Sequence, residues 1–152
     1  MTERLSAAEW RKHVGAPPPG DDLVRFRSED EFQSTVIRWL DALDWIDEVF
    51  VFHPANGGKR SLITAAILQR MGVRPGVGDL CLMLGGGRVA WLELKLGTGQ
   101  QSDAQKDFAR ICKRLGHPYA VAWTFDEVVA ALTSFGVRYR EPLAARLIRE
   151  GG

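Results

Sequence analysis

Cysteine is scarce in this sequence. Cys81 and Cys112 are the only two in 152 residues, too few for a disulfide framework, and both fall in apolar patterns where a buried thiol is commonplace. Neither combines with His53 or His117 in a spacing that would ligate zinc. Long apolar runs are also missing: Asp79, Arg88, Glu93 and Lys95 interrupt the most hydrophobic region, so a membrane-spanning helix is excluded. No apolar leader follows the Met-Thr-Glu-Arg start, and the expected location is cytoplasmic. There is no excess of charge of either sign, since 20 Lys+Arg against 19 Asp+Glu leave a net charge of +1. That balance excludes a histone-like polycation, an acidic disordered chain and a strong membrane-surface binder, so any basic site must be local. With 45% hydrophobic residues the chain fits one compact domain with a sizeable core.

Residues 1–27 read as an arm or linker, because the run Gly15-Ala16-Pro17-Pro18-Pro19-Gly20 cannot continue a helix. The core begins at Ser28-Glu29-Asp30-Glu31, a capping box that opens a helix with Phe32, Val36, Trp39, Leu40 and Leu43 as its apolar stripe. Val49–Phe52 is a strand that stops at His53-Pro54, and Ser61 caps a helix over 62–71 ended by Gly72. Residues 79–84 and 89–96 form a hairpin around Gly85-Gly86-Gly87, with strands too apolar to face water, and are therefore expected at the centre of a sheet. A second capping box, Ser102 to Gln105, opens a helix expected to turn Phe108, Ile111, Cys112 and Leu115 inward until Gly116. A short strand over 119–123 precedes a third box, Thr124 to Glu127, and a helix running to Gly136. Residues 137–152 read as a helical tail. The expected fold is α/β: a mixed sheet flanked by helices, with an antiparallel hairpin and a parallel pair across the Ser102 helix.

Strand alternation puts Trp91, Glu93 and Lys95 on one face and Ala90, Leu92 and Leu94 on the other. Asp79 begins the partner strand, so three charged groups meet at one end of two apolar strands. Desolvation there is costly unless they are paired or bind a metal. Two carboxylates with a backbone carbonyl suit a hard cation such as Mg²⁺, and a lysine two residues from a metal carboxylate can stabilise charge during phosphodiester hydrolysis. A surface ion pair beside a turn aspartate accounts for Glu-x-Lys equally well when it stands alone. No acidic residue occurs between Glu48 and Asp79, a stretch that carries Lys59, Arg60, Arg70 and Arg74. The loop Asn56-Gly57-Gly58-Lys59-Arg60 can grip phosphates, with His53 a further phosphate or water contact; a solvated turn and a structural histidine are the alternatives.

Pro75-Gly76-Val77-Gly78-Asp79-Leu80 followed by Glu93-Leu94-Lys95 resembles the PD-(D/E)xK nuclease signature, in the form used by the virus-type replication-repair nuclease (VRR-NUC) domain. The similarity extends to Glu29 to Gln33, to His53 to Arg60, to Met71 to Gly76, and to Gln105 and Phe108, in the family's order. Gly78 departs from it, standing where the signature usually has proline. The resemblance implies a restriction-endonuclease-like core over residues 28–136. In it Asp79, Glu93 and the Leu94 carbonyl bind Mg²⁺ or Mn²⁺, and Lys95 lies beside the attacked phosphate. Glu29 then completes the site directly or through water, and Gln105 joins it. Helix spacing agrees for Glu29, which shares a face with Phe32, Gln33 and Val36, although compensation of the helix dipole explains it as well. Gln105 is equally the capping residue of its helix.

The implied function is a metal-dependent DNA nuclease acting on branched DNA as a homodimer, with Arg74 and the 53–60 segment on the DNA, in the cytoplasm of a bacterial or phage-infected cell. A non-catalytic DNA-binding module of the same fold, and a nuclease acting on RNA, share these residues.

Overall fold

The computed structural model of the chain describes residues 25–55 and 61–151. The N-terminal arm up to residue 24 and the loop Asn56 to Arg60 lie outside them. Helix α1 (Glu29–Asp41) starts where the Ser28 hydroxyl accepts the Glu31 N–H. The Glu31 carboxylate reaches one residue further back than a capping box requires, to the Arg27 N–H at 2.9 Å. Two-residue β1 (Asp44–Trp45) is followed by β2 (Val49–Phe52), α2 (Leu62–Arg70), β3 (Leu80–Leu84), a 3-10 turn at Gly85–Gly87 and β4 (Arg88–Leu94). Then come α3 (Asp103–Leu115), β5 (Tyr119–Ala122), α4 (Phe125–Ser134), β6 (Tyr139–Arg140) and α5 (Leu143–Glu150). Gly86 and Gly87 take positive φ in the hairpin turn, which side chains would resist.

The main sheet has the order β2-β3-β4-β5, antiparallel except for the parallel β4–β5 pair that α3 connects. The expected hairpin strands are thus central. Leu80, Leu82, Leu92, Leu94 and Ala122 turn to one face and meet Phe32, Val36, Trp39 and Leu40 of α1 and Phe125, Val128 and Leu132 of α4. Phe125 stands edge-on to Trp39 at 5.6 Å between ring centroids, within the favoured aromatic geometry.

On the opposite face α3 covers β4 and β5, with Phe108 edge-on to Trp91 at 5.0 Å. Cys112 is buried there, but Ile111 and Leu115 face solvent, contrary to the inward stripe expected of them. A helix lying over two strands makes a narrow contact line, and Phe108 and Cys112 at i and i+4 fill it.

The short β1 and β6 strands pair antiparallel, and α5 packs on α1 with Ala145 fully buried. Glu141 accepts the Trp39 indole N–H at 2.8 Å and pairs with Arg149 at 2.7 Å, tying the C-terminal segment to α1.

Candidate functional site

The register that sets Leu80 opposite Leu92 carries Asp79 to the end of β4, where its Oδ2 accepts the Leu94 N–H at 2.7 Å. Two residues apart on the α3 side of β4 and just beyond it, Glu93 and Lys95 are joined at 3.0 Å. This is no surface pair: Glu93 is 0% exposed and Lys95 7%. Glu93 Oε1 also accepts the Gln105 amide N–H at 2.5 Å, while Glu93 Oε2 is buried with no hydrogen-bond partner among the described residues. An unpartnered buried carboxylate oxygen is costly and calls for an occupant such as water or an ion.

The electrostatics follow from burial. Desolvation, followed by the charge of Asp79, pushes the Glu93 carboxyl up to about 7 even though Lys95 opposes the shift. Desolvation also raises Asp79, against the Leu94 amide and the Lys95 charge. The charge of Glu29 acts on both carboxyls in the raising direction, which places this first-turn residue of α1 electrostatically within the group. Glu29 Oε1 accepts the Leu96 N–H at 3.4 Å.

His53 Nδ1 lies 2.6 Å from the Asp79 carbonyl oxygen, an acceptor, so Nδ1 carries the proton and Nε2 is left for another partner. His53, Pro54, Asp79, Ser102 and Gln105 line a cleft of about 190 Å³. Gly76 and Gly78 shape its floor. A Cβ on Gly76 would overlap the Ala104 carbonyl, and one on Gly78 would stand 3.3 Å from the Trp91 ring, so the loop before Asp79 lies flush on α3 and β4. A larger cleft of about 530 Å³ opens at the other end of the β3–β4 hairpin, but its Asp47 and Arg138 are already joined to each other.

Asp79, Glu93, Lys95, Glu29, Gln105 and His53 thus gather around the ends of β3 and β4. Gln105 caps its helix and also reaches Glu93: its Oε1 accepts the Ser102 N–H at 2.8 Å while its Nε2 donates to Glu93. Arg74 bonds to the Gln69 carbonyl at 3.3 Å rather than to a carboxylate. Asn56, Gly57, Gly58, Lys59 and Arg60 lie outside the described residues. Among the described residues no three His, Cys, Asp or Glu side chains converge tightly enough to cage a metal ion. Two carboxylates, one with an unpartnered oxygen, fit a cation such as Mg²⁺ that takes few protein ligands and keeps several waters. Sequence reasoning did not find Gly99, on which a Cβ would lie 3.2 Å from Glu29 Oε1, or the Trp123 indole N–H that donates to the Gly99 carbonyl, because both depend on contacts between distant segments.

No helix among the described residues is long and apolar enough to cross a membrane. No family model matches the chain, and no curated protein matches it in sequence. Among solved structures, one described as a VRR_NUC domain protein aligns with a TM-score of 0.59 and 24% identity, over 72% of this chain and 88% of that one. The chain has the VRR-NUC-like fold, a mixed sheet flanked by helices that forms a nuclease-fold domain.

Proposed function

We propose that this protein is a Mg²⁺- or Mn²⁺-dependent nuclease that hydrolyses DNA phosphodiesters, of the PD-(D/E)xK type. The observation that carries this reading is the buried Glu93–Lys95 pair beside half-buried Asp79, with a Glu93 Oε2 that has no hydrogen-bond partner among the described residues. A structural ion pair has no use for an unsatisfied oxygen beside a second carboxylate of raised pKa. Asp79, Glu93 and the Leu94 carbonyl would hold the cation, with Glu29 joining directly or through water. When bound, the cation supplies Lewis-acid polarisation of a phosphoryl oxygen and lowers the pKa of the attacking water.

The chain's own groups do the rest. Gln105 fixes the Glu93 carboxylate by its Oε1 and leaves Oε2 for the cation. Lys95, at the end of the same strand, supplies positive charge where the pentavalent phosphate develops negative charge. His53 presents Nε2 to the cleft as a phosphate or water contact. Exposed Arg70 and Arg74, with Lys59 and Arg60 in the sequence between Glu48 and Asp79, supply sequence-independent backbone contacts.

The preference for branched DNA follows from the family resemblance. The homodimer does too, and α2 supports it: Leu62, Ile63 and Met71 at its ends are 90%, 75% and 77% exposed, although a helix this apolar is normally covered.

An end-labelled panel of single strand, duplex, flap, splayed arm and four-way junction, with Mg²⁺ or Mn²⁺, tests the reading. Expected are metal-dependent cutting of a branched substrate, its loss in Lys95→Ala, and loss of calorimetric Mn²⁺ binding in Asp79→Ala. Salt-sensitive DNA binding without cutting by the folded protein would identify a binding module instead, and cutting confined to RNA would reassign the substrate.

A further inference from the structure

The segment between β4 and α3 folds back onto the site through three hydrogen bonds. The Gly99 N–H donates to the Leu96 carbonyl at 3.0 Å, closing a tight turn over 96–99. The Leu96 N–H donates to Glu29 Oε1 at 3.4 Å, and the Trp123 indole N–H donates to the Gly99 carbonyl at 2.9 Å. The turn approaches both charged side chains that flank it. A Cβ on Gly99 would lie 3.2 Å from Glu29 Oε1, 3.0 Å from the Leu96 carbonyl oxygen and 3.6 Å from Lys95 Cδ. Gly99 does not take a positive φ, so space rather than backbone conformation makes glycine the fitting residue here.

Trp123 is itself anchored. It follows β5 immediately, and its backbone N–H donates to the Glu127 carboxylate at 2.6 Å in the first turn of α4. A line of contacts therefore runs from the start of α4 through Trp123 and Gly99 to Glu29 on α1. Glu29 needs such support. It is exposed, has three rotatable bonds, and its charge is set near two other carboxylates that repel it.

We propose that Trp123 is a positioning residue for Glu29: it clamps the 96–99 turn, and the bare Cα of Gly99 is the surface against which the Glu29 carboxylate is held toward Asp79 and Glu93. This rests on the nuclease reading above. Trp123 touches neither substrate nor cation, and its effect passes through Glu29.

Trp123→Phe keeps an aromatic side chain and removes the indole N–H, and Gly99→Ala inserts a methyl group against the Glu29 carboxylate and the Leu96 carbonyl at a position that needs no positive φ. If one variant folds poorly by urea unfolding, the other carries the test. Each is expected to lower kcat about 5- to 20-fold, the worth of one well-placed hydrogen bond, with KM for DNA within about twofold of wild type. Calorimetric Mn²⁺ affinity of the protein without DNA should fall in parallel. Because both act through Glu29, neither should lower kcat further in a Glu29→Gln background, whereas a general structural defect would add to it. Variants within about twofold of an active wild type, or losses that add to Glu29→Gln, overturn the clamp and leave the nuclease reading standing. A folded wild type that neither cuts nor binds Mn²⁺ overturns the nuclease reading and the clamp together.

Discussion

Glu93 should make the metal-free protein less stable as pH rises, which is unusual for a carboxylate. Its carboxyl is lifted from an ordinary 4.5 to about 7, chiefly by burial. Between those values the folded protein keeps a proton that the unfolded chain has released, so stability is full below about 4.5 and is lost as pH climbs toward 7. A rise of this size at a fully buried group corresponds to about 3 kcal/mol. Glu93→Gln mimics the protonated form and keeps the size of the side chain. Urea unfolding in EDTA at pH 5, 6, 7 and 8 should find the variant and wild type close to equal at pH 5, with the variant about 2 to 3 kcal/mol more stable at pH 8. Subtracting the two curves cancels the other titrating groups common to both. Saturating Mn²⁺ at pH 8 should restore wild type by about 2.7 kcal/mol at a hundred times Kd and leave the variant unchanged. A stability difference that is constant from pH 5 to 8, or a variant less stable at pH 8, would refute the desolvation reasoning.

Two further outcomes follow. Ile63→Glu combined with Ile67→Glu should convert a dimer to a monomer in sedimentation equilibrium, since burying two unpaired charges costs more than about 3 kcal/mol and weakens association over about 100-fold; a monomeric wild type at high concentration would show that α2 joins no second copy. Both cysteines are buried, and Cys81 is pushed up to about 11 by desolvation, so a disulfide reagent at pH 8 should label the native protein no faster than it unfolds. Rapid labelling of folded protein would contradict that burial.

The features legible in the sequence are those written in short-range patterns. The Ser102–Gln105 and Thr124–Glu127 capping boxes form as read, because each is complete within four residues. Period-two alternation placed Glu93 and Lys95 on one strand face, and the glycine turn fixed the hairpin that brings Asp79 to them. The two-residue β1 and β6 strands carry too little pattern to read, since they exist by pairing across nearly the whole domain. The same holds for the Trp123 indole N–H, which finds Gly99 24 positions away. α2 was found as a helix, but its exposure was not, because an apolar helical sequence predicts burial and says nothing about what supplies it. Ile111 and Leu115 failed in the same way: periodicity gives the apolar face of α3 and not the width of the surface beneath it.

Gln105 shows how a local rule and a site can constrain the same position. Among the described residues, three helices open with a serine or threonine hydroxyl and an acidic or amide residue three positions on: α1 has Glu31 and α4 has Glu127, while α3 has glutamine. Capping alone would accept glutamate, because the Ser102 N–H needs only an oxygen acceptor. Glu93 needs the opposite. With its Oε1 already facing Lys95, a glutamate at position 105 would set a further negative charge at hydrogen-bond distance from a carboxyl whose pKa is already raised to about 7, and would have no proton to donate. The amide meets both demands at once, with its oxygen on the helix start and its nitrogen on the carboxylate. The first turn of α3 is thereby tied to the end of β4, and the cap that starts the helix also fixes which Glu93 oxygen is left open.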